Sequence, residues 1–141
     1  MSSAADKFSS LLPETLGYGP HSTRLMKELQ LAIRHKLWAS VIILSATIVD
    51  VIRYEEQIFD LSPQDEDSDD DYGGGYFEAG GYDYLTMAER RKLEWLREVR
   101  NQIIHYDGPI EGMLGRAQDD GVLRSYADKA ISAILPIISQ N

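Results

Sequence analysis

Four long stretches of the chain repeat apolar residues at helical spacing, and the polar segments between them mark where each helix should stop. The first carries Leu25, Met26, Leu29, Ala32 and Ile33 on one side, with Ser22 or Thr23 placed to cap it and His35-Lys36 at its end or bend. The second, Leu37 to Phe59, is apolar around nearly its whole circumference, from Leu37, Trp38 and Val41 to Val49, Val51 and Ile52. Such a helix belongs at the centre of a bundle. Its β-branched residues also suit a strand, but the run is too long for one and lacks turn signals. The third opens on the capping box Thr86-Met87-Ala88-Glu89 and runs through Trp95 to His105 or Tyr106, where Gly108-Pro109 stops it. Asp119 or Asp120 caps the last, which holds Val122, Leu123, Tyr126, Ala130, Ile131, Ile134 and Leu135, with Pro136 kinking or fraying its final turn. The pattern predicts an all-α fold, an antiparallel four-helix bundle forming a single domain over residues 22–141.

The intervals are less regular. Residues 1–21 are small and polar, broken by Pro13, Gly17, Gly19 and Pro20, and read as a flexible N-terminal arm with a short helical turn around Phe8 to Leu12. His21 reads as an ordinary loop histidine. Pro109 to Asp120 is a connector with one short helix around Met113 to Ala117. Residues 62–84 interrupt the domain with an acidic, Gly- and Tyr-rich insert that has no aliphatic residue until Leu85, and they predict a disordered loop between the second and third long helices. Within it, Asp67, Asp69, Asp71 and Glu78 fall at positions 1, 3, 5 and 12 of a calcium-binding loop. Tyr72 stands where that loop needs glycine for its sharp turn, so a solvated acidic loop is the stronger reading. Tyr72, Tyr76, Tyr82 and Tyr84 offer contacts for a partner or faces for bases.

Composition narrows the field. A chain of 141 residues is large enough for a real core, and it contains no cysteine, which excludes disulfides, zinc–thiolate sites and cysteine nucleophiles. The N-terminus lacks the basic and apolar regions of a signal peptide, and the longest apolar run is shorter than a bilayer span and contains Asp50. These features predict a cytoplasmic protein with no membrane association. The net charge is −9, but the insert alone holds eight acidic residues and no basic one, so the rest of the chain is near neutral. No broad basic face of a general nucleic-acid binder is present, and any RNA contact must be local.

The third helix carries one residue its pattern does not want. Leu93, Leu96, Val99, Ile103 and Ile104 form a broad apolar arc, and Arg100 lands inside it, while Asn101 and His105 share the polar side with Glu94 and Glu98. A guanidinium does not shed its proton, so it needs an acceptor when buried. Asp50, on the Ile43 and Ala46 side of the apolar second helix, needs a cation for the same reason. The two are natural partners.

Arg100-Asn101-Gln102-Ile103-Ile104-His105 resembles the R-x4-6-H motif of HEPN domains, where a polar residue usually follows the arginine. The run KLWASVIILSATIVD resembles the second long helix of those bundles, which an acidic residue often closes. At the level of helix pattern the resemblance extends from about Leu25 to Ile138. It implies a HEPN-type bundle in which paired copies of the motif, across a two-fold axis, form a metal-independent ribonuclease site. Some toxin members that pair with a nucleotidyltransferase antitoxin carry R-x4-H-x-Y with a modifiable tyrosine. Here Tyr106 follows His105 directly and Asp107 takes the later place, a departure from that subgroup.

The chemistry such a site performs needs a base for the 2′-hydroxyl proton, an acid for the leaving 5′-oxygen and a cation for the transition-state charge. Histidine serves the first two roles near neutral pH, and arginine's planar fork matches phosphate oxygens. The catalytic candidates are therefore Arg100, Asn101 and His105, with Asn101 orienting the imidazole or the phosphate. Asp50, Arg97 and Tyr106 are supporting candidates, with Arg97 mainly a surface residue and Tyr106 packing back toward Val99 and Ile103. Five residues apart on a straight helix, Arg100 and His105 diverge by roughly 140°, so one copy does not grip a phosphate with both. Two copies meeting at a two-fold axis do, which predicts a homodimer acting on RNA without metal or cofactor. The expected setting is a toxin or defence effector, with a protein antitoxin or regulatory partner. Taken singly, Arg100 reads as half of a structural ion pair and His105 as a helix-terminal histidine near the last carbonyls. The competing function is accordingly a non-catalytic HEPN-like dimeric scaffold that recruits a partner through the acidic insert.

Overall fold

The computed structural model describes residues 3–59, 85–106 and 108–138, and among these residues the chain is all-helical, with no strand. The described residues form five α-helices, α1 (Ala4–Ser9), α2 (Pro20–Arg34), α3 (Trp38–Phe59), α4 (Met87–His105) and α5 (Asp119–Ile138), and a 3-10 turn at Pro13–Thr15. The acidic insert at 62–84, and the calcium-loop pattern within it, lie outside the described residues.

Helix α3 is the axis of the molecule, packed against α2, α4 and α5. Its Val41, Ile42, Ala46, Ile48, Val49 and Ile52 are buried, as expected for a helix apolar around most of its circumference. A tight turn joins α2 to α3. Lys36 adopts a left-handed conformation (φ 59°), its N–H bonds the Ile33 carbonyl at 3.1 Å, and the Leu37 N–H reaches back to Ala32 at 2.9 Å. This paired pattern closes a helix end while reversing the chain, and here lysine occupies a position usually given to glycine. Helix α4 starts on the predicted capping box: Thr86 Oγ1 accepts from the Glu89 N–H at 3.1 Å, and Glu89 accepts from the Thr86 N–H at 2.8 Å.

Contacts at the helix ends give the relative directions. Lys92 meets Ser132, and Trp95 meets Tyr126 edge-on with Lys129 over its indole face, so α4 and α5 run antiparallel. The Arg124 guanidinium near the start of α5 lies over Trp38 at the start of α3. The far ends of both helices meet the segment around Tyr18 to Ser22, so α3 and α5 run in the same direction. Helix α4 is therefore antiparallel to α3.

Three local expectations are corrected. The N-terminal segment is not a loose arm: α1 has its own capping box (Ser3 with Asp6), and Phe8 is fully buried in the core. The Ala5 N–H donates to Asp128 at 3.2 Å, Gln30 donates to the Phe8 and Leu11 carbonyls, and the Tyr18 hydroxyl donates to the Ile137 carbonyl at 2.9 Å. These are tertiary partners, which apolar periodicity does not reveal. Helix α2 begins at Pro20 rather than at Ser22 or Thr23, with Gly19 as its N-cap, because proline's fixed φ suits the first helical position and its missing N–H is no loss there. His21 is thus a first-turn helical residue. The connector after Pro109 holds turns and no helix around 113–117. Gly112 (φ 92°) and Gly115 (φ 78°) are both left-handed, and a Cβ at Gly112 would press on Leu123. Asp119 draws this connector in by accepting the N–H groups of Gly115 at 2.6 Å and Arg116 at 2.9 Å.

Candidate functional site

The last two turns of α4 place the candidate residues. Leu93, Leu96 and Val99 are buried, and they set the rotation that brings Arg100 onto the flank facing α3. There its Nη1 lies 3.0 Å from Oδ2 of Asp50, with the arginine side chain 16% exposed and the aspartate 39% exposed. The Arg100 Nε donates to Asn101 Oδ1 at 3.1 Å. The pairing anticipated from the two helical patterns is present, and Asn101 orients the guanidinium rather than an imidazole. Among the described residues these acceptors engage two of the five N–H donors on the fork.

His105 is the last residue of α4 and is exposed. The Tyr106 N–H closes the helix by donating to the Gln102 carbonyl at 3.1 Å. Tyr106 is itself left-handed (φ 45°) and 69% exposed, so it does not pack back on Val99 and Ile103 as expected. The reversal at this residue carries its ring off the helix surface instead. Ile104, counted in the apolar arc, is also exposed, whereas Ile103 packs against the core. Arg97, one turn before Arg100, is half-buried.

Arg100, Asn101 and Asp50 thus form one connected group, with His105 just beyond it on a different side of the helix. Within a single chain the imidazole does not join that group. The arrangement offers a held cation on one side of the helix and an exposed imidazole on another. No set of three or more His, Asp or Glu side chains suited to holding a metal ion occurs among the described residues, and no helix among them is long and apolar enough to cross a membrane.

One buried carboxylate escaped the sequence reading. Glu55, near the end of α3, accepts from the N–H groups of His21 at 3.2 Å and Ser22 at 3.3 Å and from the Ser22 hydroxyl. The His21 Nδ1 lies 3.8 Å from the same carboxylate. Glu55 supplies from another helix the cap that Gly19 lacks, and a Cβ on Gly19 would collide with it. The available signal was its spacing, since Ile48, Ile52 and Glu55 continue one apolar stripe.

No family model matches the sequence, and neither a curated protein nor a solved structure shows significant similarity to it.

Proposed function

We propose that the chain is a metal-independent endoribonuclease of HEPN type, acting as a homodimer of helical bundles, with Arg100, Asn101 and His105 of both copies lining one cleft. The observation that carries this reading is the held guanidinium. Arg100 sits on an otherwise apolar flank, fixed by Asp50 and Asn101, within a few residues of an exposed histidine at the helix end. Preorganised charge of this kind stabilises a transition state without reorganising during the reaction.

In the proposed reaction one imidazole takes the proton of the 2′-hydroxyl. The freed oxygen attacks the adjacent phosphorus, and the 5′-oxygen leaves with a proton from the second imidazole. The product is a 2′,3′-cyclic phosphate, and the arginines neutralise charge on the phosphoryl oxygens. A protein of this activity suits a role as a toxin or defence effector. The test is cleavage of RNA in EDTA. Wild type should cut, and His105→Ala should lose on the order of 10²- to 10⁴-fold in rate, as for loss of a general acid–base group, while remaining folded and dimeric. Equal cleavage by the variant would remove His105 from the reaction.

A second reading draws on the same ion pair. Asp50 already neutralises Arg100, so the pair also suits a non-catalytic dimeric scaffold. In that case RNA stays intact with every variant, and Arg100→Ala acts on folding or association alone.

A further inference from the structure

We propose that a second copy of this chain docks on the outward face of α3, with the two α3 helices antiparallel across a two-fold axis at Thr47. This inference rests on the homodimer of the reading above and names the surface through which its copies meet.

Helix α3 is apolar around most of its circumference, yet its neighbours α2, α4 and α5 leave one face uncovered among the described residues. Ser40, Ile43, Thr47, Val51 and Tyr54 recur every three or four residues and so share that face. Val41, Ile42, Ala46, Ile48, Val49 and Ile52 are buried, but Ile43, Thr47 and Val51 are only half-buried, and Tyr54 is 58% exposed. Ile43 and Val51 also lie outside the packed core. The Thr47 hydroxyl donates to the Ile43 carbonyl at 2.8 Å, so it needs no outside partner when a surface closes over it.

The symmetry of the face identifies its occupant. Ile43 and Val51, both β-branched and aliphatic, lie four residues to either side of Thr47. Ser40 and Tyr54, both bearing a hydroxyl, lie seven residues to either side. A two-fold contact is self-complementary, since each residue meets on the partner the one that meets it in return. Antiparallel α3 helices crossing at Thr47 therefore pair Ile43 with Val51 of the partner subunit and Ser40 with Tyr54 of the partner subunit, each pair occurring twice. A different protein on this face would give no reason for such a palindrome.

Charge favours the same surface. Copies of a chain with net charge −9 repel one another unless they meet where charge is low. This face carries no charged side chain, and Asp50 at its edge is neutralised by Arg100. The outer side of α4, by contrast, presents Glu94 and Glu98, where like charges would be opposed. Leu44 and Asp50 lie three residues to either side of Thr47, so each Asp50–Arg100 pair stands at the rim, against Leu44 of the partner subunit. The two pairs are then about 9 Å apart along the helix direction, which brings two guanidiniums to one interface.

The chain has no cysteine, so introduced thiols report on this contact alone. With helix axes about 10 Å apart and Cα atoms about 2.3 Å from each axis, the facing Thr47 positions stand about 5 Å apart, within disulfide reach. Under mild oxidation of the full chain at micromolar concentration, Thr47→Cys should form a disulfide-linked dimer at least about tenfold faster than Glu98→Cys, an exposed position on α4. A mixture of Ile43→Cys and Val51→Cys chains should cross-link faster than either variant alone, because only the mixture pairs the thiols. Val51→Glu should convert the dimer to a monomer in sedimentation velocity, and the cysteine variants decide the matter if that variant fails to fold. A wild-type dimer whose Thr47→Cys variant cross-links no faster than Glu98→Cys overturns this face and leaves the homodimer itself standing. Faster cross-linking by Ile43→Cys alone than by the mixture moves the axis and overturns the pairing. A wild-type chain that sediments as a monomer at every concentration removes both the contact and the two-copy ribonuclease.

Discussion

Asp50 and Glu55 lie five residues apart on α3, and the two carboxylates are held in different ways. Asp50 faces one long side chain, a guanidinium at 3.0 Å, and remains 39% exposed. Glu55 faces backbone, taking the first N–H groups of α2 and the Ser22 hydroxyl, with its side chain only 12% exposed. Backbone donors at a helix start cannot swing away, and their aligned dipoles favour an anion. A guanidinium can exchange one oxyanion for another. Glu55 therefore acts as a strut that fixes how α2 meets α3, whereas Asp50 is one exchangeable, partly hydrated partner of a single cation.

Removing the strut should have the largest effect. Glu55→Ala strands the two N–H groups and the buried Ser22 hydroxyl, and the lost cap plus buried unsatisfied donors suggests a cost of about 3 kcal/mol. Urea unfolding should show this as a lower midpoint with little change in slope. Glu55→Gln keeps an acceptor in place and should cost about 1 kcal/mol, the scale of one hydrogen bond. If alanine cost no more than glutamine, the carboxylate would not be what holds α2.

The Asp50–Arg100 pair should respond less, and unequally. Asp50→Ala leaves a mostly buried guanidinium short of its acceptor and should destabilise by about 2 kcal/mol, below the range for fully buried pairs because Asp50 is partly hydrated. Arg100→Ala leaves a carboxylate that water reaches, and should cost about 1 kcal/mol. The double variant should be milder than the sum, with a coupling of about 1 kcal/mol from the cycle. Additive losses would mean that the observed contact carries no energy. On the proposed ribonuclease reading the order should reverse for activity, with Arg100→Ala more damaging to RNA cleavage than Asp50→Ala.

This contrast also separates what the sequence makes legible from what it hides. Asp50 and Arg100 each break an apolar helical pattern, and two such breaks of opposite charge predict their own pairing. The α4 start was legible because both halves of its capping box lie within four residues, Thr86 to Glu89. Spacing on an apolar stripe marks Glu55 for burial, but its partners were not legible, because they are backbone groups of a helix more than thirty residues earlier. Phe8 and Tyr18 were hidden for the same reason: single residues in a Pro- and Gly-broken segment, each committed to one distant slot. Tyr106 was misjudged because helical spacing was extended one residue past the point where the backbone turns left-handed. Motif residues thus emerged from local pattern, and tertiary struts did not.

A third carboxylate on α3 sharpens the comparison at its weakest point. Glu56 follows Glu55 directly and is exposed by area, yet the surrounding protein strips enough hydration from its carboxyl to raise its pKa above the usual value of 4.5. A carboxyl with a folded pKa above its unfolded one binds protons more readily in the folded state. Its charge therefore opposes folding at neutral pH, and that penalty is relieved as pH falls through the raised value. Glu56→Gln should stabilise the protein at pH 7 by no more than about 0.5 kcal/mol, the usual limit for a surface change. The gain should vanish at pH values below 4.5, where the wild-type carboxyl is protonated in both states. Thermal melts of the two proteins across that range provide the measurement. A loss of stability at pH 7 would reveal a favourable partner for Glu56 and place it with Glu55 as a second strut.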